Sequence, residues 1–404
     1  MVDSPKLPIG GRQVRYYRRK NGNRSQAAIA GLCAITERYL SLIETGKKTP
    51  SPDVLARLAR ELGVPVSALL SDEPVPEAGV SLSTAPEIAR ALMGYGGVRT
   101  GPVATTAELR DRVEDAWRTW QTSEERFSGV EQVLPRLIAD VEGVVRAYRT
   151  GNDPGVRREV LRIEADLYGL LRSYCRRTGR LDLALMVSDR VRRAAEEADD
   201  PIRLAAAHWN FGHCLLSQEG GADEAGAIAE AAVEQLQGVP DSPEKAAMQG
   251  ALELVRVVAE AQSRRWWGAR RRLAEQAAPL AKRVGDANIQ WTVFGPTNIH
   301  LHALSIEMLA GESAEGLRLA DEVDISRLPS RERQFTFTLE LARCYDLRRD
   351  DAAVLVYLLD LEKLSPEDMV RSKLATDMVL GLVQRVRPTY RRQVLGLAER
   401  LGLA

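Results

Sequence analysis

Through the first seventy positions, apolar residues recur at three- and four-residue spacings, and this pattern predicts five short helices. The first spans about Gly10 to Lys20, with Val14 inward and Arg12, Arg15, Arg18 and Arg19 outside. Asn21-Gly22-Asn23 breaks it. Ser25 caps a second helix, SQAAIAGL, in which Ile29 and Leu32 point inward and Ala27 and Ala30 permit close approach. A short turn, Cys33-Ala34-Ile35, leads to Thr36, the cap of a third helix, ERYLSLIE. There Leu40 and Ile43 share one face, which leaves Glu37, Arg38 and Ser41 on another. Ser51-Pro52 opens a fourth helix striped by Val54, Leu55, Leu58, Ala59 and Leu62. Gly63 stops it, and Val66, Leu69 and Leu70 close the bundle from a fifth.

Residues 72–106 change character. DEPVPEAGVSLS and MGYGGVRTGPVATT are rich in turn formers, with PEIARALM a candidate short helix between them. They read as a hinge or a packed connector. From Thr106 helix follows helix, in pairs near 107–122 and 130–150, 155–178 and 181–198, 202–219 and 222–237, and 244–264 and 266–284. The later pairs fall near 291–310 and 313–324, 331–348 and 351–362, and 367–387 and 389–402. Short connections such as Thr178-Gly179-Arg180, Gly220-Gly221 and Gly311-Glu312 predict antiparallel neighbours. A degenerate repeat is visible. Gly179-x-x-Asp182-x-Ala184 is matched by Gly221-x-Asp223-Glu224-Ala225, and Ala165-x-x-Tyr168-Gly169 by Ala207-His208-x-x-Phe211-Gly212. A period of roughly 40 residues made of helix pairs indicates a solenoid whose neighbours must stack to bury a continuous core.

Charge sharpens this division. The chain has no net charge, yet residues 1–70 hold 12 Lys and Arg against 5 Asp and Glu, a formal +7 that leaves −7 for the rest. A basic module on an acidic body suits nucleic-acid binding joined to regulation. The four cysteines, Cys33, Cys175, Cys214 and Cys344, are isolated, which fits small buried apolar groups rather than disulfides or a zinc site. No apolar run is long enough to span a membrane, and the opening MVDSPKLPIGG lacks the apolar core of a signal peptide, so a cytoplasmic location without membrane association is expected.

The run SQAAIAGLCAITERYLSLIETGKKTPSPDVLARLARELGVPVSALL resembles the XRE family of helix-turn-helix domains, the phage-repressor and Cro type. The resemblance rests on the Gln-Ala pair after a cap, Ala30, the Leu40/Ile43 pair, Glu44-Thr45-Gly46-Lys47, Pro50 and Leu62-Gly63-Val64, over about 60 residues. Ala34 departs from the Gly that many members place in the turn; Ala holds such a turn with negative φ or at a cost in strain. The resemblance implies that Gln26 contacts the DNA backbone and that Thr36, Glu37, Arg38 and Tyr39 open the recognition helix. Arg38 is the candidate base reader, since Arg can give guanine two hydrogen bonds. Glu37 could accept from a cytosine amine or repel wrong approaches. Ser41 shares its face. Leu42, often polar in the family, could touch a thymine methyl or pack. Lys47 and Lys48 are candidate phosphate contacts, with Arg12 and Arg15 weaker ones.

The body is similar to the tetratricopeptide-repeat (TPR) regions found behind XRE domains in bacterial regulators, especially actinobacterial ones. The resemblance rests on the layout of FGPTNIHLHALSIEMLAGESAEGLRLADEVD and RERQFTFTLELARCYDLRRDDAAVLVYLLDLEKLSPEDM. The expected architecture is all-α: a five-helix XRE head over 1–71, a connector over 72–106 and a TPR-like α-solenoid over 107–404 that regulates and dimerises. The partners implied are double-stranded DNA, an inverted repeat bound by a homodimer, and a peptide or small-molecule signal. The alternative is a protein-interaction scaffold with a DNA-targeting head.

Aromatics are scarce, so their clustering carries information. Trp267, Trp291 and Phe294, with Arg264 and Asn298 nearby, are candidate ligand contacts; the competing reading makes the aromatics inter-helix core. Asn288, and Trp209 with His213 in an earlier helix, are further groups of interest. His300 and His302 point to different faces of a helix, and His208 and His213 are badly spaced, so no metal site is expected. Gly94-Tyr95-Gly96-Gly97 lacks the Lys of a phosphate loop, and no nucleophile elbow or HExxH occurs, so neither an enzyme nor a cofactor is expected.

Overall fold

The structure is a computed structural model, and it describes residues 11–20, 24–62, 64, 66–70, 85–94, 104–149, 153–328 and 330–403. The Asn21-Gly22-Asn23 break, Gly63, the Arg12 side chain and most of the expected connector lie outside the described residues. Every regular element described is helical. The chain divides into two compact units, Met1–Ser81 and Leu82–Ala404.

The first unit contains α1 (Gly11–Lys20), α2 (Gln26–Leu32), α3 (Glu37–Glu44), α4 (Pro52–Leu62) and α5 (Val66–Leu70). Ser25 caps α2 by accepting from the Ala28 amide at 3.1 Å, and Thr36 caps α3 by accepting from Tyr39 at 3.1 Å. Val14, Ile29, Leu40, Ile43, Leu58, Leu62 and Leu69 form the core. Four expectations are corrected here. Leu32 is 56% exposed, and Val66 and Leu70 are exposed as well rather than inward, because Ile29, Ala30 and Leu69 already fill the bundle. Arg18 is buried rather than outside, for it meets the carboxylate of Glu44 on α3.

The second unit begins with α6 (Pro86–Leu92), whose Ile88 and Leu92 pack into the first core of the array. Helix pairs follow: α7 (Thr106–Thr122) and α8 (Arg126–Tyr148), α9 (Pro154–Arg177) and α10 (Leu181–Glu197), α11 (Pro201–Leu215) and α12 (Ala222–Leu236). Next come α13 (Pro243–Gln262) and α14 (Trp266–Arg272), which continues through a π-helical turn into α15 (Ala278–Val284). The last are α16 (Pro296–Ala310) and α17 (Ser313–Ala320), α18 (Arg331–Leu347) and α19 (Asp351–Leu364), then α20 (Pro366–Arg371), α21 (Lys373–Arg385) and α22 (Pro388–Arg400).

The caps are local and legible. Asp153-Pro154, Asp200-Pro201 and Ser242-Pro243 each place a capping oxygen before a proline at the first helical position. Two expected helices differ. The one near 291–310 starts only at Pro296, because a residue before proline is pushed out of the helical region. The one near 367–387 is broken at Ser372, whose hydroxyl caps α21.

Within each pair the helices pack on each other, and each first helix also packs on the next first helix: α7 on α9, α9 on α11, α11 on α13, α13 on α16, α16 on α18. This makes two layers of helices, as in a TPR-like solenoid. Of the matched repeat glycines, Gly169 and Gly212 face the neighbouring first-layer helix, where a Cβ at Gly212 would sit 2.9 Å from Val255. The array also returns on itself, since α18 touches α7.

Candidate functional site

In the head, the residues of the expected recognition surface sit on and around α3. Thr36, Glu37, Arg38, Lys47 and Lys48 are exposed, and Tyr39, Ser41 and Leu42 are half-exposed. Arg38 has no partner among the described residues. The Lys48 ammonium lies 5.3 Å from the centre of the Tyr39 ring. Beneath this surface is a buried polar network. Arg18 donates to Glu44 through Nε at 2.6 Å and Nη2 at 2.9 Å, and through Nη1 to the carbonyl of Arg24 at 2.6 Å. Gln26 donates through Nε2 to Glu44 Oε2 at 2.7 Å. Glu44 therefore ties α1, the start of α2 and the end of α3 together and orients Gln26. The turn between α2 and α3 carries Ala34 at φ 51°, so the strained alternative for this non-glycine residue holds.

The array holds a cavity of about 320 Å³ walled by its first-layer helices. Trp117, Trp120 and Gln121 come from α7, Arg172, Ser173, Arg176 and Arg177 from α9, Trp209 and His213 from α11, and Glu332 and Arg333 from α18. The segment before α16 supplies Trp291, whose ring stacks on Trp117 at 5.2 Å with the planes 4° apart. That segment is strained: Gln290, Trp291 and Val293 have φ of 49°, 60° and 54°, a region costly for non-glycine and especially β-branched residues. Gln121 and Asn288 hold it. Asn288 donates to Gln121 Oε1 at 2.6 Å, and Gln121 donates to the Trp291 carbonyl at 3.2 Å.

Positive charge dominates the wall. Arg172 is 2% exposed, its guanidinium 5.2 Å from the Trp209 ring centre, and it donates to the amide oxygen of Asn210. Glu332 serves several arginines. It accepts from Arg177, lies 3.7 Å from Arg176, and accepts from Arg126 at 3.1 Å. Burial by itself would raise the Glu332 carboxyl, but Arg177, Arg126 and Arg176 hold it well below the usual range. Burial, then Arg177 and Arg172, push the Arg176 guanidinium down to about 9. Burial, followed by Arg333, lowers His302 to about 4, so it stays neutral while its Nδ1 donates to the Asn298 carbonyl at 2.8 Å.

Behind Trp120 and Glu332 of the cavity wall lies a clasp. Arg126, wholly buried, donates to Asp368 at 2.8 Å and 2.5 Å and lies 4.2 Å from the Trp120 ring centre. Glu367 accepts from the first amides of α8, Phe127 at 2.7 Å and Ser128 at 3.1 Å.

Of the five expected ligand contacts, Trp291 lines this cavity and the other four do not converge on it. Phe294 is core, packed so tightly on Gly250 that no Cβ would fit there. Trp267 is 70% exposed beneath Arg271. Arg264 is exposed in a turn at φ 59°. Asn298 is 2% exposed, its Oδ1 without a partner. Sequence reasoning missed Arg172, Arg176, Arg177 and Arg333. A signal existed for Arg172, because α9 is apolar nearly all round from Leu167 to Cys175, and such a helix is buried. Among the described residues no group of His, Cys, Asp or Glu is arranged to hold a metal ion, and no helix is long and apolar enough to cross a membrane.

Residues 14–69 match the helix-turn-helix family HTH_3. No curated protein matches the chain. Among solved structures, the chain is similar to Bacillus thuringiensis PlcR in complex with the peptide PapR7 and DNA, at 12% identity and a TM-score of 0.32, over 87% of this chain and 98% of that one. That likeness is too distant to carry an argument about ligands, and neither match supports the actinobacterial resemblance. The chain thus has an N-terminal XRE-type helix-turn-helix domain followed by a TPR-like helical region.

Proposed function

We propose that this protein is a sequence-specific, non-enzymatic transcriptional regulator acting in the cytoplasm. Its head binds double-stranded DNA, and its array senses a peptide or small-molecule signal and joins two copies. The observation that carries this reading is the outer face of α3, where Arg38 is exposed and without a partner among the described residues, with Lys47 and Lys48 exposed just after the helix and none of the three in the buried core. Arg38 reads a base edge, Lys47 and Lys48 hold phosphates, and Gln26, oriented by Glu44, contacts the backbone. Thr36, Glu37, Tyr39, Ser41 and Leu42 complete the surface. Residues 1–71 form the DNA-binding domain. The connector over 72–106 carries α6 within it, and α6 packs with the regulatory array. An inverted repeat with half-sites one helical turn apart fits a homodimer of such heads.

The cavity supports sensing, because it gathers tryptophan rings and several polar and charged groups around a volume of small-molecule size. The test is a genome-wide pull-down of DNA bound by the full chain, with Arg38→Ala alongside. A palindromic motif shared by the bound fragments, and lost or relaxed in Arg38→Ala, is expected. No enriched motif in either sample would leave the head without a DNA role.

A further inference from the structure

The arginines of the array cavity are only partly paired by the protein's own groups. Arg172 is nearly inaccessible and has no carboxylate within ion-pair distance among the described residues; it donates to the Asn210 amide and lies over the Trp209 ring. Arg333 has no hydrogen-bond or ion-pair partner among the described residues. The Nε atoms of Arg172, Arg176 and Arg177 are buried without a hydrogen-bond acceptor. The carboxylate nearest them, Glu332, is divided among Arg177, Arg176 and Arg126. Sequestered positive charge short of counter-charge is costly to a fold. The same cavity is lined by flat apolar groups, the stacked Trp117 and Trp291 and the Trp209 ring beside Arg172, and by neutral His213 and His302. Its volume of about 320 Å³ lies at the small end of small-molecule sites, roughly 300–1,000 Å³.

We propose that this cavity binds a small organic anion, its carboxylate or phosphate received by Arg172, Arg176 and Arg333 and its flat apolar body set against Trp117, Trp209 and Trp291. The proposal deepens the sensing role above and rests on it. Arginine suits the task because its planar fork gives paired, charge-assisted hydrogen bonds to carboxylate or phosphate. An anion here would also compete with Glu332 for Arg176 and Arg177. Glu332 contacts Arg126 of the clasp, so occupancy of the cavity is felt where α8 meets α18 and α20.

The experiment titrates the full chain with 1-naphthyl phosphate, 1-naphthoate and the uncharged 1-naphthamide, reading tryptophan fluorescence and the shift in Tm. At least one acid should bind about tenfold more tightly than the amide, and the comparison of the two acids tells phosphate from carboxylate. Arg172→Met and Arg333→Met should each weaken that binding by about tenfold or more while the ligand-free Tm holds or rises, since an under-paired charge is replaced by an apolar chain. Equal binding of acid and amide, no acid binding up to about 1 mM, or unchanged affinity in both variants would overturn the anion site. The acid-to-amide ratio on the wild type needs no variant to fold. The regulatory reading is judged separately by the DNA pull-down, so either result can fail without the other.

Discussion

In the head, Arg18 lies buried with both carboxylate oxygens of Glu44 upon it, and Arg38, Lys47 and Lys48 stand outside. In the array, Arg126 is held as Arg18 is, by Asp368, but Arg172 and Arg333 face inward with no carboxylate of their own. A satisfied buried pair specifies how helices join. A basic group without its counter-ion is a place for something else to bind, whether it stands in solvent as Arg38 does or in a cavity as Arg172 does. The position of a charge therefore says less about its role than whether the protein itself completes its partners.

The comparison breaks most sharply at Glu44. Glu44→Ala leaves the Arg18 guanidinium buried and unpaired and should destabilise the head by about 3–5 kcal/mol. Hydrogen exchange of the full chain should then show protection lost across Gln26–Leu62 and kept in the array. A head that stays protected would mean that the pair is not what joins α1 to α3.

One of the array's neutral histidines gives the next largest effect. His302 is held near 4 in the fold against an ordinary 6.5. The unfolded chain therefore takes up a proton that the folded chain refuses as the pH falls, and stability drops between pH 6.5 and about 4. The difference between wild type and His302→Gln should grow by about 3 kcal/mol across that window, measured by urea unfolding at stepped pH. Parallel curves would show that the imidazole can be protonated in place.

Smaller effects sharpen the account of the head. Lys47→Ala should weaken DNA binding uniformly across sequences and reduce the slope of log affinity against log salt by about 0.9. Arg38→Ala should instead cost about 1–3 kcal/mol of discrimination at one base pair. Identical behaviour of the two variants would erase the distinction between phosphate and base contacts. Ala34→Gly should stabilise the head by about 0.5–1 kcal/mol, because glycine holds the left-handed turn without the Cβ penalty. Chemical denaturation followed by hydrogen exchange in Ile29–Leu40 would register it.

How much of this was legible beforehand differs by kind of interaction. Thr36 and Ser25 announced helix starts because a cap is satisfied within three residues. The exposed set on α3 followed from Leu40 and Ile43 fixing the opposite face. Phe294 and Trp267 could not be told apart by residue type, and one proved core and the other surface. Trp291 was flagged as a candidate, but its place on Trp117 depends on a strained turn held by Gln121, far away along the chain.

The sequence by itself determined the all-helical architecture, a helix-turn-helix head ahead of a repeating helical body, most helix starts, and which residues of α3 are exposed. Those depend on spacing, capping and charge within a turn or two. Only the tertiary structure decided which arginines are paired, which line a cavity, and that α18 returns to α7. Arg126 meets Asp368 across 242 positions, and Arg172 meets an amide and an indole ring but no carboxylate. A guanidinium's own sequence neighbourhood does not say which distant carboxylate, if any, the fold will bring to it.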